Sequence, residues 1–283
     1  MTERSATLRT ELADGVFSVV LTRAEEYNTI TPQLRDELSD AIDEAEADPE
    51  ARVILLTAEG PAFCAGYGLD WSTEYQREAE SSERAWDSVT DYRLMSSFVD
   101  VYMKLWRASK PTLAGVQGWC IAGGTDMVLC ADIIVAGESA TFGYPPARVW
   151  GVPTTPMWVY RLGFEKAKRY LFTGDEIPAP EAARIGLILE TVPDDELAQH
   201  VADLARRMAR LPLSQLVMMK MLCNQVADSM GLSSTRTLGT LFDGIARHTQ
   251  EGLDFVKRAE EIGYREAVRE RDDPFGDYGS RNR

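Results

Sequence analysis

"KPTLAGVQGWCIAGGTDMVLCADIIVAGESATFGYPPARVWGVP", residues 110–153, carries more structural information than any other part of the chain. It begins with an apolar run, "KPTLAGVQG", and reaches a turn of small residues at 121–126, "IAGGTD". From about Gly124 the spacing fits a helix, and a second apolar run, "DIIVAG", follows. An apolar strand, a glycine turn, a helix and another apolar strand make the pattern of a parallel crossover.

The same alternation extends on both sides. Toward the N-terminus, "TLRTELADGVFSVVLTR" is two extended runs joined by Asp14-Gly15, a strong hairpin signal. "PQLRDELSDAIDEAEADP" then places Leu34, Leu38, Ile42 and Ala45 at helical spacing. "RVILLTAEG" reads as a buried strand, and "SVTDYRLMSSFVDVYMKLWRAS" as a helix leading into residue 110. Repeated β-then-α units predict an α/β fold with parallel strands. Beyond about Pro156 helices dominate, the last of them broken near Gly252. The expected division is a core over 1–195 followed by a helical region over 196–283. Residues 71–91 are acidic and aperiodic, a solvated loop whose Trp71, Tyr75 and Trp86 can also cover a ligand as a lid.

Composition narrows the function. The 283 residues carry a formal charge of -15, which disfavours a nucleic-acid partner. Backbone N–H groups can still bind an anion locally. Four cysteines, all in apolar surroundings, lack any CxxC pairing and read as reduced thiols of a cytoplasmic protein. The polar start and the lack of a long apolar run predict neither a secretory signal nor a membrane span. Two histidines, His200 and His248, cannot build a histidine-rich metal site and argue against a Ser–His–Asp triad. "GYGLDW" at 66–71 lacks the third glycine of a dinucleotide fingerprint. No metal and no permanently bound cofactor are expected.

Two glycine turns remain, "FCAGYG" at 63–68 and "IAGGTD" at 121–126, each after an apolar strand. Both are expected at the carboxyl edge of the sheet, where α/β proteins bind ligands. One N–H from each turn can hold a carbonyl oxygen as it becomes an oxyanion, with a helix dipole behind it. Gly-Gly before a helix is also ordinary turn chemistry, and Thr125 or Asp126 serves equally as a helix-start residue.

At these turns the sequence resembles the crotonase, or enoyl-CoA hydratase/isomerase, superfamily. The resemblance rests on "LTRAEEYNTI", "FCAGYGLDW", the 110–153 stretch and "EGLDFVKRAEE", in that order along nearly the whole chain. It implies a spiral of repeated ββα units with a helical C-terminal region that mediates trimers or dimers of trimers. It implies an acyl-CoA thioester whose carbonyl lies between the amides of Tyr67 and Gly123. It maps the first catalytic glutamate to Asp126 and CoA contacts to Arg23, Ala65, Phe255 and Lys257, and it suggests fatty acid metabolism.

The sequence departs from that family at three places. The second catalytic glutamate of hydratases, three residues after "FG", is Pro146 here, which can neither donate nor accept a proton. Asp126 is one methylene shorter than glutamate. Gly68 stands where an aspartate is usual, with Asp70 two residues on. The expected function is acyl-CoA chemistry through a thioester enolate with Asp126 as the single acid/base. The alternatives are hydrolytic C–C cleavage of a β-keto-acyl-CoA and acyl-CoA binding without turnover. Tyr144 and Arg148, near Pro146, are expected to pack or pair, or else to touch the acyl group. Trp119 and Trp158 are expected in the core.

Overall fold

A computed structural model describes residues 6–68 and 86–278. Asp70, Trp71 and Tyr75 lie outside the described residues. Among the described residues, ten strands form two sheets. The larger has the order β1 (Leu8–Ala13), β2 (Val16–Leu21), β3 (Val53–Ala58), β5 (Thr112–Val116), β7 (Ile133–Gly137), β10 (Glu190–Val192). The smaller has the order β4 (Ala62–Cys64), β6 (Trp119–Ile121), β8 (Thr141–Gly143), β9 (Ile177–Pro178). β3, β5, β7 and β10 are parallel neighbours, and so are β4, β6 and β8. Each turn of the chain thus adds one strand to each sheet beside its predecessor. This is the spiral of ββα units expected from the resemblance.

Local chemistry fixes the ends of these elements. Asp14 and Gly15 both take positive φ (51° and 77°), and β1 and β2 pair antiparallel across them. Helix α1 (Pro32–Ala47) starts on Thr31, whose hydroxyl oxygen accepts from the Leu34 N–H at 3.1 Å, with proline in its first turn. Its Leu34, Leu38, Ile42 and Ala45 are buried, as their spacing predicts. Helix α2 (Ser88–Arg107) is capped by Asp87 and packs on α1 and on the long C-terminal helix at Leu232–Arg247.

Past residue 156, "MWVYRLGFEKAKRYLFTG" forms two helices rather than one, α4 (Met157–Leu162) and α5 (Phe164–Leu171), broken at Gly163. The short α6 (Ala179–Ile185) precedes β10. Helix α7 (Leu197–Ala209) lies on the large sheet, where Val201 and Ala205 cluster with Val53, Leu113 and Val135. It covers the face opposite the main core. Four helices follow: α8 (Leu213–Ser229), α9 (Leu232–Arg247), α10 (Gln250–Ile262) and α11 (Tyr264–Asp272). The break near Gly252 falls at His248–Thr249.

Some expectations are corrected. Cys64, Cys120 and Cys130 are buried, but Cys223 is exposed because it lies on the outer side of α8. Trp158 is buried as expected. Trp119, the first residue of the three-residue strand β6, is only half-buried and lines a cavity.

Candidate active site

The two glycine turns meet. Gly66 and Ala122 approach so closely that a Cβ on Gly66 would stand 2.9 Å from the Ala122 Cβ. A Cβ on Gly124 would stand 2.3 Å from the Cys64 carbonyl oxygen. Glycine is favoured at Gly66 by its φ of +93° and at Gly124 by the Cys64 backbone that fills the space. Ala122 takes φ +53° and ψ −126° just before helix α3 (Gly123–Val128), a conformation that costs a non-glycine residue about 1–3 kcal/mol. Its carbonyl accepts from the Thr125 and Asp126 N–H groups and from the Thr125 hydroxyl at 2.6 Å. Gly123 begins the helix, so its N–H has no intrahelical acceptor. The Tyr67 ring packs below it, 2.7 Å from where a Gly123 Cβ would be.

A cavity of about 880 Å³ opens above this junction. That volume is within the usual range for a small-molecule site. Arg23, Ala65, Tyr67 and Gly123 line it, as does Phe255, 4.9 Å from the Trp150 ring. Five of the sequence-predicted residues therefore come together. Lys257 does not join them and lies on the exposed side of α10. Arg23 donates to the Thr29 carbonyl at 2.9 Å and pairs with Glu26 at the mouth.

Asp126 occupies a different position. It is 0 % exposed and does not line the cavity. Its Oδ2 accepts from the Thr154 N–H at 3.1 Å and from the Thr154 hydroxyl at 2.9 Å. Its Oδ1 is buried without a hydrogen bond among the described residues. Burial pushes its pKa up to about 8, the Thr154 bonds pull against that rise, and the charge of Asp243 adds to it. A pKa raised this far favours the protonated carboxyl at neutral pH. Asp126 is the third residue after Gly123, so the two share one face of α3.

Pro146 lines the cavity, as its place in the sequence implies, and brings no ionisable group. Tyr144 also lines it and donates its hydroxyl to the Val152 carbonyl at 2.9 Å. Arg148 does not reach the acyl space. Its guanidinium holds Asp277 through two nitrogens at 2.8 and 2.7 Å, holds Asp272 at 2.8 Å and lies over the Phe275 ring. It ties the C-terminal tail to the small sheet, so the structural reading of Arg148 holds. Trp86 stacks on the His248 ring at 4.3 Å.

Among the cavity residues that escaped the sequence reading are Asp243 and Arg247 on α9. Arg247 bonds Asp243 Oδ2 at 3.1 Å and both oxygens of Asp91 at 3.0 and 2.9 Å. The one available signal was an acid set between Gly239 and Gly244 inside a helix. Among the described residues, no group of three His, Cys, Asp or Glu side chains could hold a metal ion. No helix there is long and apolar enough to cross a membrane.

Comparison with known proteins agrees with this geometry. The sequence profile described as enoyl-CoA hydratase/isomerase matches residues 11–260. A hydroxycinnamoyl-CoA hydratase-lyase of Pseudomonas fluorescens is 32% identical over 210 residues, 72% of this chain and 73% of the relative. The structure of an enoyl-CoA hydratase from Mycobacterium smegmatis superposes with TM-score 0.92 at 42% identity, covering 97% of this chain and 96% of the other. An enoyl-CoA hydratase/isomerase from Xanthobacter autotrophicus Py2 superposes with TM-score 0.88 at 25% identity, covering 96% and 99%.

Proposed function

The chain belongs to the enoyl-CoA hydratase/isomerase family and is an acyl-CoA-processing enzyme; from that premise we propose that it forms a thioester enolate between the Tyr67 and Gly123 amides, with Asp126 handling the proton. The observation that carries this reading is the contact of the two glycine turns at the cavity floor. A thioester carbonyl seated there places its oxygen at the start of α3, where amide and dipole favour developing negative charge. Charge that grows on that oxygen during reaction is stabilised more than the neutral ground state, which is the condition for catalysis.

Asp126 suits a proton-holding role because it carries its proton near neutral pH with Oδ1 unpartnered. A double-bond shift, cleavage of a β-keto thioester and hydration all pass through the same enolate or a related oxyanion. Arg23 and Ala65 line the cavity with Phe255, consistent with CoA contacts. Lys257 would meet a CoA only from a neighbouring subunit. The exposed Met218, Met221, Leu222 and Val226 of α8 give an apolar face suited to a homotrimer or a dimer of trimers. A cytoplasmic location and a place in fatty acid metabolism fit this reading.

The test uses a panel of trans-2-enoyl-CoA and β-keto-acyl-CoA thioesters with wild type and Asp126→Ala. Activity in the wild type and its loss in the variant are expected. Equal activity of the two on any substrate turned over removes Asp126 as the acid/base. The competing reading, thioester binding without turnover, draws on Pro146 in the cavity wall. It predicts thermal stabilisation by acyl-CoA with no α-proton exchange in heavy water, and exchange would exclude it.

A further inference from the structure

We infer that Asp243 is a second catalytic carboxyl, entering the cavity from α9 and supplying the function that Pro146 cannot. This inference rests on the enolate reading and extends it. Asp243 lines the cavity that contains Tyr67 and Gly123, whereas Asp126 sits just behind Gly123 in α3 and is not itself in the lining. Asp243 therefore belongs to the wall that a thioester in the cavity would face.

Helix α9 is shaped to bring this side chain in. At Gly239 a Cβ would stand 2.7 Å from the Pro153 carbonyl oxygen, so glycine lets the helix press onto the 152–154 segment. At Gly244 a Cβ would stand 2.3 Å from Asp91 Oδ2, so glycine there lets Asp91 reach Arg247. The 152–154 segment also fixes the other polar groups of the site. Val152 accepts from the Tyr144 hydroxyl, and Thr154 holds Asp126. One strip of backbone thus sets the positions of Asp126, Tyr144 and α9 together.

Arg247 orients Asp243 through Oδ2, one helical turn away, while a second of its nitrogens holds Asp91. Arg247 is thus shared between two carboxylates, and the Val152 backbone also bonds the Asp243 carboxyl. Burial raises the Asp243 pKa and Arg247 opposes the rise, a balance that suits a group that takes up and returns a proton.

For hydration of a 2-enoyl thioester, the balance is as follows. The water oxygen bonds the β carbon as its proton passes to Asp243. The C=C electron pair moves onto the thioester oxygen, held by the two amides. The enolate then collapses and bonds a proton from Asp126 at the α carbon. One water is consumed, nothing is oxidised or reduced, and the proton gained by Asp243 balances the one given up by Asp126 before the next turnover.

The experiment compares wild type, Asp243→Asn and Asp243→Ala on the trans-2-enoyl-CoA panel, with butanoyl-CoA binding followed by calorimetry. Asp243→Asn keeps the volume and an acceptor for Arg247. It is expected to lower kcat about 10²–10⁴-fold while butanoyl-CoA affinity stays within about threefold. Asp243→Ala is expected to regain at least about tenfold in kcat with added formate, a rescue that a purely structural role would not show. Three results overturn the inference: unchanged kcat in Asp243→Asn, a loss matched by an equal loss of binding, or no formate rescue in a thioester-binding Ala variant. An inert wild type overturns the enolate reading as well, which separates the two failures.

Discussion

Replacing Asp126 with asparagine should change how stability depends on pH. The carboxyl titrates near 3.8 when unfolded and at about 8 in the fold. Between those values the folded chain holds a proton that the unfolded chain has released. Folding stability contributed by the protonated carboxyl is therefore fully present below the unfolded pKa and is lost as pH rises toward 8. The slope is about 1.4 kcal/mol per pH unit, so wild type loses about 2.7 kcal/mol from this group between pH 5 and pH 7. Asparagine does not titrate, and its carbonyl can still accept from Thr154. Subtracting the two proteins cancels ionisations they share. Urea unfolding followed by tryptophan fluorescence at pH 5, 6 and 7 and constant ionic strength gives the difference directly. The variant should gain on wild type by about 2.7 kcal/mol across that range, roughly 1 M in midpoint for m near 3 kcal/mol/M. A difference that stays constant with pH would refute the reasoning. Asp126 would then be ionised at neutral pH and would carry no proton to deliver.

Other perturbations test neighbouring parts of the site. Asp243→Asn should lower the Asp126 pKa by removing a like charge, so the wild-type pH slope should end at a lower pH when that background is titrated. Thr154→Val should move the Asp126 pKa up, because the lost hydroxyl favoured the carboxylate, and the pH–rate midpoint should rise with it. Gly123→Ala places a methyl 2.7 Å from the Tyr67 ring and displaces the amide, with an expected kcat loss of about 10²–10³ on a substrate that wild type turns over. Arg148→Met strands Asp277 without its cation in a buried setting and leaves Asp272 to Arg271 alone, and stability should fall by about 3–5 kcal/mol in chemical denaturation.

The elements that could be read from sequence were those long enough to show a period. Helix α1 shows four apolar residues on one face and a Thr-Pro start, and it folds as those signals require. Asp14-Gly15 needs positive φ at both residues, and few dipeptides other than this type supply it. The small sheet was hidden because β4, β6 and β8 have three residues each, too few for alternation to register. Those strands gain their order only from pairing with strands more than twenty residues away in the chain. Gly163 likewise splits a helical pattern that looked continuous.

The site divides along the same line. Tyr67, Gly123, Ala65 and Asp126 lie within two short motifs, so local spacing was enough to find them. Asp243 is about 120 residues beyond Gly123 and has no motif around it. Only the docking of α9 onto residues 152–154 gives its carboxyl a place in the cavity. The sequence could show that Pro146 removes a carboxyl, because that deficit sits at a fixed distance from "FG". It could not show a replacement arriving from another element, because a replacement needs only the right position in space. A family position that has lost its acid is therefore evidence about that position alone. Whether the site lacks a second carboxyl depends on the side chains that enter the cavity from the C-terminal helices, and here Asp243 does so with Arg247 to orient it.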